Sequence, residues 1–86
     1  MRVFVPTPLR AYTGKRAQVD AEGSTLGEAL TDLDRRYPGF RFRIIDEQDG
    51  IREHIKIFIN QQQVRDLAVA LGGDDEIQVV CALSGG

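Results

Sequence analysis

The spacing of apolar residues changes period several times along the chain, and each change marks an element. Arg2 to Val5 is a short β-rich run, and from Arg16 to Glu22 the apolar Ala17, Val19 and Ala21 alternate with Arg16, Gln18, Asp20 and Glu22. A period of two predicts strands at both places. Between them, Pro6 to Gly14 predicts a structured loop, with Thr7 capping a single helical turn, Pro8 at its first position and Gly14 ending it. The period then lengthens. Thr25 followed by Glu28 fits a capping box, and Leu26, Leu30, Leu33 and Tyr37 recur at helical spacing until Pro38 and Gly39. The other face carries Glu28, Asp32, Arg35 and Arg36, so this helix lies with one side on something apolar.

An irregular stretch rich in Arg, Asp and Gly follows, and then His54 to Asn60 returns to a period of two: Ile55, Ile57 and Ile59 against His54, Lys56, Phe58 and Asn60. Gln61 to Arg65 reads as a turn and short edge strand, Leu67 to Leu71 as an apolar turn, and Gly72-Gly73-Asp74-Asp75 as a break. The last strand runs from Glu76 to about Leu83, with Ile77, Val79 and Cys81 on one face and Gln78, Val80 and Ala82 on the other. If the first strand lies parallel to the last, the helix supplies the crossover such pairing needs. The expectation is an α+β fold of the β-grasp, ubiquitin-like type: a mixed sheet of about four to five strands packed on one main helix. It forms one domain over residues 1–83, with 84–86 as a flexible tail. The expected core is Val3, Val5, Val19, Leu26, Leu30, Leu33, Ile55, Ile57, Ile59, Leu67, Leu71, Ile77 and Val79.

Composition narrows the function. With 86 residues there is apolar surface for one core and not for two. The net charge of −2, with basic residues spread among acids, argues against a nucleic-acid partner. Arg35, Arg36, Arg41 and Arg43 form the one basic concentration, read as a solvated rim at a helix end or as a contact for an acidic partner. There is no run of apolar residues long enough to span a bilayer and no secretion-signal pattern, so the expected location is the cytoplasm, with no membrane partner. Cys81 is the single cysteine, which leaves no internal disulfide.

A search for catalytic groups points away from an enzyme. His54 and Cys81 are each the only residue of their kind and have no neighbours at zinc-ligand spacing. Cys81 sits inside an apolar strand, where a thiol serves packing better than nucleophilic attack. The acidic pairs Asp46-Glu47 and Asp74-Asp75 fall in predicted turns and read as turn chemistry. Gly72-Gly73 lacks the lysine and hydroxyl residue of a phosphate loop. No catalytic residue, protein-held metal or bound cofactor is expected.

The remaining chemistry lies in Ser84-Gly85-Gly86, directly after an apolar strand. Two glycines make a thin strip that threads a narrow channel and places a carboxylate deep in a partner. A carboxylate is a poor electrophile until adenylation supplies a leaving group. A sulfur nucleophile then displaces the nucleotide and leaves a thiocarboxylate, so the reactive group is carried by the chain end with no catalytic side chains.

Several segments together resemble the ThiS/MoaD family of prokaryotic ubiquitin-like sulfur carriers over nearly the full length. They are Val3-Phe4-Val5-Pro6-Thr7-Pro8-Leu9-Arg10 with Thr13-Gly14, Thr25-Leu26-Gly27-Glu28-Ala29-Leu30, Ile57-Phe58-Ile59-Asn60, and Gly73-Asp74-Asp75-Glu76-Ile77 through Ser84-Gly85-Gly86. The first and third are most similar to carriers that donate sulfur for cysteine or secondary metabolites. The resemblance implies that Gly86 is adenylated by a ubiquitin-activating-type enzyme using ATP and becomes 1-thioglycine. Gly85 and Ser84 enter that enzyme with it, and a biosynthetic enzyme accepts the sulfur. Strand parity adds a docking patch on the open face of the sheet, made of Phe4, Phe58 and Val80. Alternative readings are the small subunit of molybdopterin synthase, a ubiquitin-like modifier joined to lysines, and a plain interaction module. A monomer is expected when free, because a permanent dimer would obstruct the tail.

Overall fold

The computed structural model describes residues 1–82. The strands are β1 (Arg2–Phe4), β2 (Gln18–Asp20), β3 (Ile55–Ile59), β4 (Gln62–Val64) and β5 (Glu76–Cys81). They form one mixed sheet in the order β2-β1-β5-β3-β4. β1 runs parallel to β5, with Val3 opposite Ile77, and every other pairing is antiparallel. The expected parallel pairing of first and last strands is therefore present, and β5, the last in sequence, occupies the centre.

Helix α1 (Leu26–Arg36) crosses one face and buries Leu26, Ala29, Leu30 and Leu33 completely. Against it stand the inward residues of the sheet: Val3, Val19, Ile55, Ile57, Ile59, Ile77 and Val79. Removing each such side chain from water contributes about 1.5–3 kcal/mol before chain entropy is subtracted. The capping box forms in a modified way. Thr25 Oγ1 accepts the Glu28 N–H at 3.2 Å, but the Glu28 carboxylate accepts from Ser24 N at 2.7 Å, one residue outside the cap. Two further N–H groups of the first turn, those of Leu26 and Gly27, donate to the carbonyls of Val69 and Leu67. The segment around 67–71 therefore closes the helix end, which satisfies donors that a free helix leaves to water. That duty explains why Leu67 and Leu71, expected in the core, are only half-buried: they pack on its rim beside the helix terminus.

Two other expectations are corrected. The stretch after Gly39, read as irregular, contains a second helix, α2 (Phe40–Ile44), and fully buries Phe40, Ile44 and Ile45. Its sequence Phe-Arg-Phe-Arg-Ile alternates as a strand would, and five residues are too few to display a helical period. A tertiary cap selects the helix: Asp34 Oδ1, carried by α1, accepts from the backbone N–H of both Gly39 and Arg41, each at 3.1 Å. Gly39 at φ 94° makes the turn between the helices. The first loop is a 3₁₀ helix, Thr7–Thr13, whose N-cap is Pro6; Thr7 lies within it and makes no capping bond. Gly14 ends it in the left-handed conformation, as expected.

Candidate functional site

β5 delivers the chain toward its C-terminus from the middle of the sheet, hydrogen-bonded on both sides. Pairing with the β3 side continues one residue past the strand, where Ala82 N donates to the His54 carbonyl at 2.7 Å. The expected reactive residues Ser84, Gly85 and Gly86 lie outside the described residues. The point from which they depart is defined: Ala82, at the corner shared by the ends of β5 and the start of β3.

The patch residues of the open face are brought together in part. Phe4 and Phe58 both stand opposite Gln78, one on each side, so the two rings flank a glutamine and their Cα atoms are about 10 Å apart by the usual strand spacing. The row extends outward to Gln18 opposite Phe4 and Gln63 opposite Phe58. Val80 lies two residues further along β5, opposite Lys56. All three apolar residues are half-buried. The patch is thus an aromatic pair framed by amides, with Val80 toward the tail, and it is less continuous than parity alone implied.

One acid of each predicted turn pair, Asp46 and Asp75, makes turn hydrogen bonds. Asp46 Oδ1 accepts from Gln48 N and Gly50 N, and these bonds hold its carboxyl below the usual 3.8, with the Arg52 charge adding to the effect. Asp75 is lowered chiefly by the Gly72 N–H and then by the Asn60 amide. Both carboxylates organise turns. Cys81 is half-buried, and burial pushes its thiol above the usual 9.0, which suppresses the thiolate a nucleophile needs. The basic concentration is split up: Arg35 and Arg36 pair with Asp32, and Arg41 pairs with Asp49. Among the described residues there is no group of three or more His, Cys, Asp or Glu placed to hold a metal ion. Among them, too, no helix is long and apolar enough to cross a membrane.

Sequence reasoning passed over the surroundings of the exit point. A groove of about 370 Å³ there is lined by Pro8, Leu9, Phe42, Arg43, Glu47, Arg52, His54 and Cys81. Phe42 and Arg43 belong to α2, the element that read as irregular, so no periodic signal could have found them.

A mixed five-stranded sheet wrapped on one crossing helix, with a central last strand, is the β-grasp, ubiquitin-like architecture. The ThiS family matches residues 3–86, and the chain belongs to that family. Sulfur carrier protein CysO of Mycobacterium tuberculosis is 35% identical over 89 residues, spanning 98% of this chain and 96% of the relative. The crystal structure of M. tuberculosis CysO superimposes with a TM-score of 0.88 at 32% identity, over 95% of this chain and 98% of that one. A crystal structure of the Amycolatopsis orientalis BexX/CysO complex gives a TM-score of 0.92 at 28% identity, over 99% of this chain and 98% of the matched chain. Small archaeal modifier protein 1 from Methanosarcina acetivorans gives 0.82 at 26% identity, over 99% and 94%.

Proposed function

We propose that this chain is a sulfur carrier whose Gly86 carboxylate is adenylated and then converted to a thiocarboxylate that feeds a biosynthetic enzyme. The observation that carries this reading is the ThiS match, which extends through residue 86 and so includes Ser84-Gly85-Gly86. The curated relatives at 35% identity are sulfur carriers, and this supports the same assignment. The folded body is residues 1–83 and the working tail 84–86.

The chemistry balances without any group of the folded body. A Gly86 carboxylate oxygen attacks the α-phosphorus of ATP on the activating enzyme, forming an acyl-adenylate and releasing pyrophosphate. A sulfur nucleophile attacks the acyl carbon, the acyl–oxygen bond breaks and AMP leaves. The thiocarboxylate at 1-thioglycine then passes its sulfur to an acceptor, for which cysteine or another sulfur-containing metabolite is the product class. The carrier is cosubstrate and not catalyst: it supplies the carboxylate and a docking body that confines sulfur transfer to enzymes that recognise it. Its partners are a ubiquitin-activating-type adenylating enzyme and a sulfur-accepting enzyme. It binds no cofactor of its own, works in the cytoplasm and is a monomer when free.

The decisive measurement is the intact mass of the protein before and after incubation with ATP, the adenylating enzyme of the same organism and sulfide. The expected gain is one oxygen exchanged for sulfur, absent in a chain lacking Gly86. No gain with an enzyme that converts its other carriers in the same assay overturns the reading.

A second reading is favoured by one observation, the likeness to a small archaeal modifier protein. Lysine-linked adducts that vanish when Gly86 is deleted would place the chain among modifiers as well.

A further inference from the structure

Four residues, 83–86, follow Ala82, and fully extended backbone covers at most about 3.6 Å per residue. Gly86 therefore reaches no farther than about 14 Å from Ala82. Any enzyme acting on Gly86 must bring the mouth of its active site against the surface surrounding Ala82. This step rests on the sulfur-carrier reading above.

That surface has a definite chemistry. The groove beside Cys81 and His54 is roofed by Phe42, 56% exposed and the one large apolar side chain so exposed among the described residues. The Arg52 guanidinium stacks over its ring at 4.5 Å from the centroid, while Arg52 Nε donates to the Phe42 carbonyl at 2.7 Å. Two contacts hold this arginine in one orientation, so little rotamer freedom is left to lose on binding. Arg43 lies over the Tyr12 ring at 5.7 Å. Among the described residues neither Arg43 nor Arg52 forms an ion pair, in contrast to Arg35, Arg36 and Arg41, although Arg52 also acts on Asp46 at longer range. Among the described residues Glu47 is the only acid in the groove wall. An exposed aromatic ring stacked by Arg52, with Arg43 in the same groove wall and neither arginine in an ion pair among the described residues, lies beside the tail's point of departure.

We propose that Phe42, Arg52 and Arg43 form a collar that docks an acidic rim around the active-site mouth of the adenylating enzyme, and that this collar determines which carrier that enzyme accepts. It is a surface separate from the Phe4–Phe58 row, which lies on the open face of the sheet, whereas Phe42 belongs to α2 on the covered side. Desolvated contacts between a fixed guanidinium and a carboxylate are worth more than flexible surface pairs, because the arginine is already ordered before the partner arrives.

The test is kinetic and uses the whole chain. Conversion of Gly86 by the same organism's adenylating enzyme is followed by intact mass at varied carrier concentration, for wild type, Phe42→Ala, Arg52→Glu and Arg43→Glu. Circular dichroism checks that each variant is folded. The expected result is a KM raised at least tenfold in Arg52→Glu, a smaller rise in Phe42→Ala and Arg43→Glu, unchanged kcat, and a wild-type KM that rises with salt. Folded variants that all keep KM within twofold of wild type overturn the collar while leaving the carrier reading intact. Direct titration of the enzyme with carrier lacking Gly86 separates the other case. If wild type is never converted but this truncated form binds, and Arg52→Glu abolishes binding, the collar stands and the sulfur-carrier reading falls.

Discussion

Asn60 at the end of β3 is clasped to Asp75 at the threshold of β5, its side-chain amide donating to Asp75 Oδ1 at 2.8 Å. The same side chain accepts from Glu76 N at 3.0 Å, and the Asn60 backbone N–H donates to the Glu76 carbonyl. Asn60 and Gln61 have φ of 49° and 73°, and positive φ at both positions is the mark of a type I′ hairpin turn, here joining β3 to β4. Asn60 thus serves two ends at once. It lets the hairpin turn, and it pins the start of the strand that carries the chain toward Gly86.

Replacing Asn60 by alanine removes both side-chain bonds and places a Cβ-bearing residue with no local hydrogen bond at positive φ. The expected cost is about 1–3 kcal/mol. For a domain of this size each kcal/mol lowers the melting temperature by about 4–8 °C. Asn60→Gly relieves the backbone strain but not the lost bonds, so its melting temperature falls between those of alanine and wild type. Thermal unfolding of the three proteins checks the order.

Asp75 makes the same clasp sensitive to acid. Its carboxyl in the folded protein titrates below the usual 3.8, so the folded state holds the charge more firmly than the unfolded chain does. The stability it contributes is present above 3.8 and is lost as pH falls through the lowered folded value. Asp75→Asn is expected to melt below wild type at neutral pH, and the gap is expected to close as pH falls from 3.8 through the lowered folded value. A gap that stays constant across that range contradicts the assignment. Asp46 and Asp32 carry shifts in the same direction and steepen the acid limb in both proteins.

Phe40 is completely buried although it follows Pro38 and Gly39 in a stretch with no periodic signal. Phe40→Ala is expected to destabilise by about 3–5 kcal/mol, as large apolar truncations in cores do. The exposed neighbour Phe42 supplies the internal control, since Phe42→Ala leaves the core intact and is expected to shift the denaturation midpoint little. Urea titration of the pair tests the placement of α2.

On the open face, Phe58→Glu puts a carboxylate beside Gln78, opposite Phe4 on the far strand. If this row docks the activating enzyme, burying that charge in the interface lowers adenylation of Gly86 at least tenfold through KM, with the fold retained. Unchanged activation of a folded Phe58→Glu protein removes the row from the docking surface.

The elements with a long enough pattern were legible from residue order alone. Four leucine and tyrosine positions announced α1, three alternating isoleucines announced β3, and Ile77 with Val79 announced the buried face of β5. The parallel pairing of β1 with β5 entered the sequence reading as a condition that the crossover helix permits, and the structure meets it. The expectation for Ser84-Gly85-Gly86 rests on residue types alone, and those residues lie outside the described part of the chain. What local order could not specify were features whose partners are distant in sequence. α2 is a helix because Asp34 of α1 caps it, and Leu67 and Leu71 sit on the rim because carbonyls near them close the end of α1. The Phe42–Arg52 stack joins residues ten positions apart across a turn. Periodicity reports which face of an element is apolar; only packing decides which distant donor, acceptor or ring that face will meet.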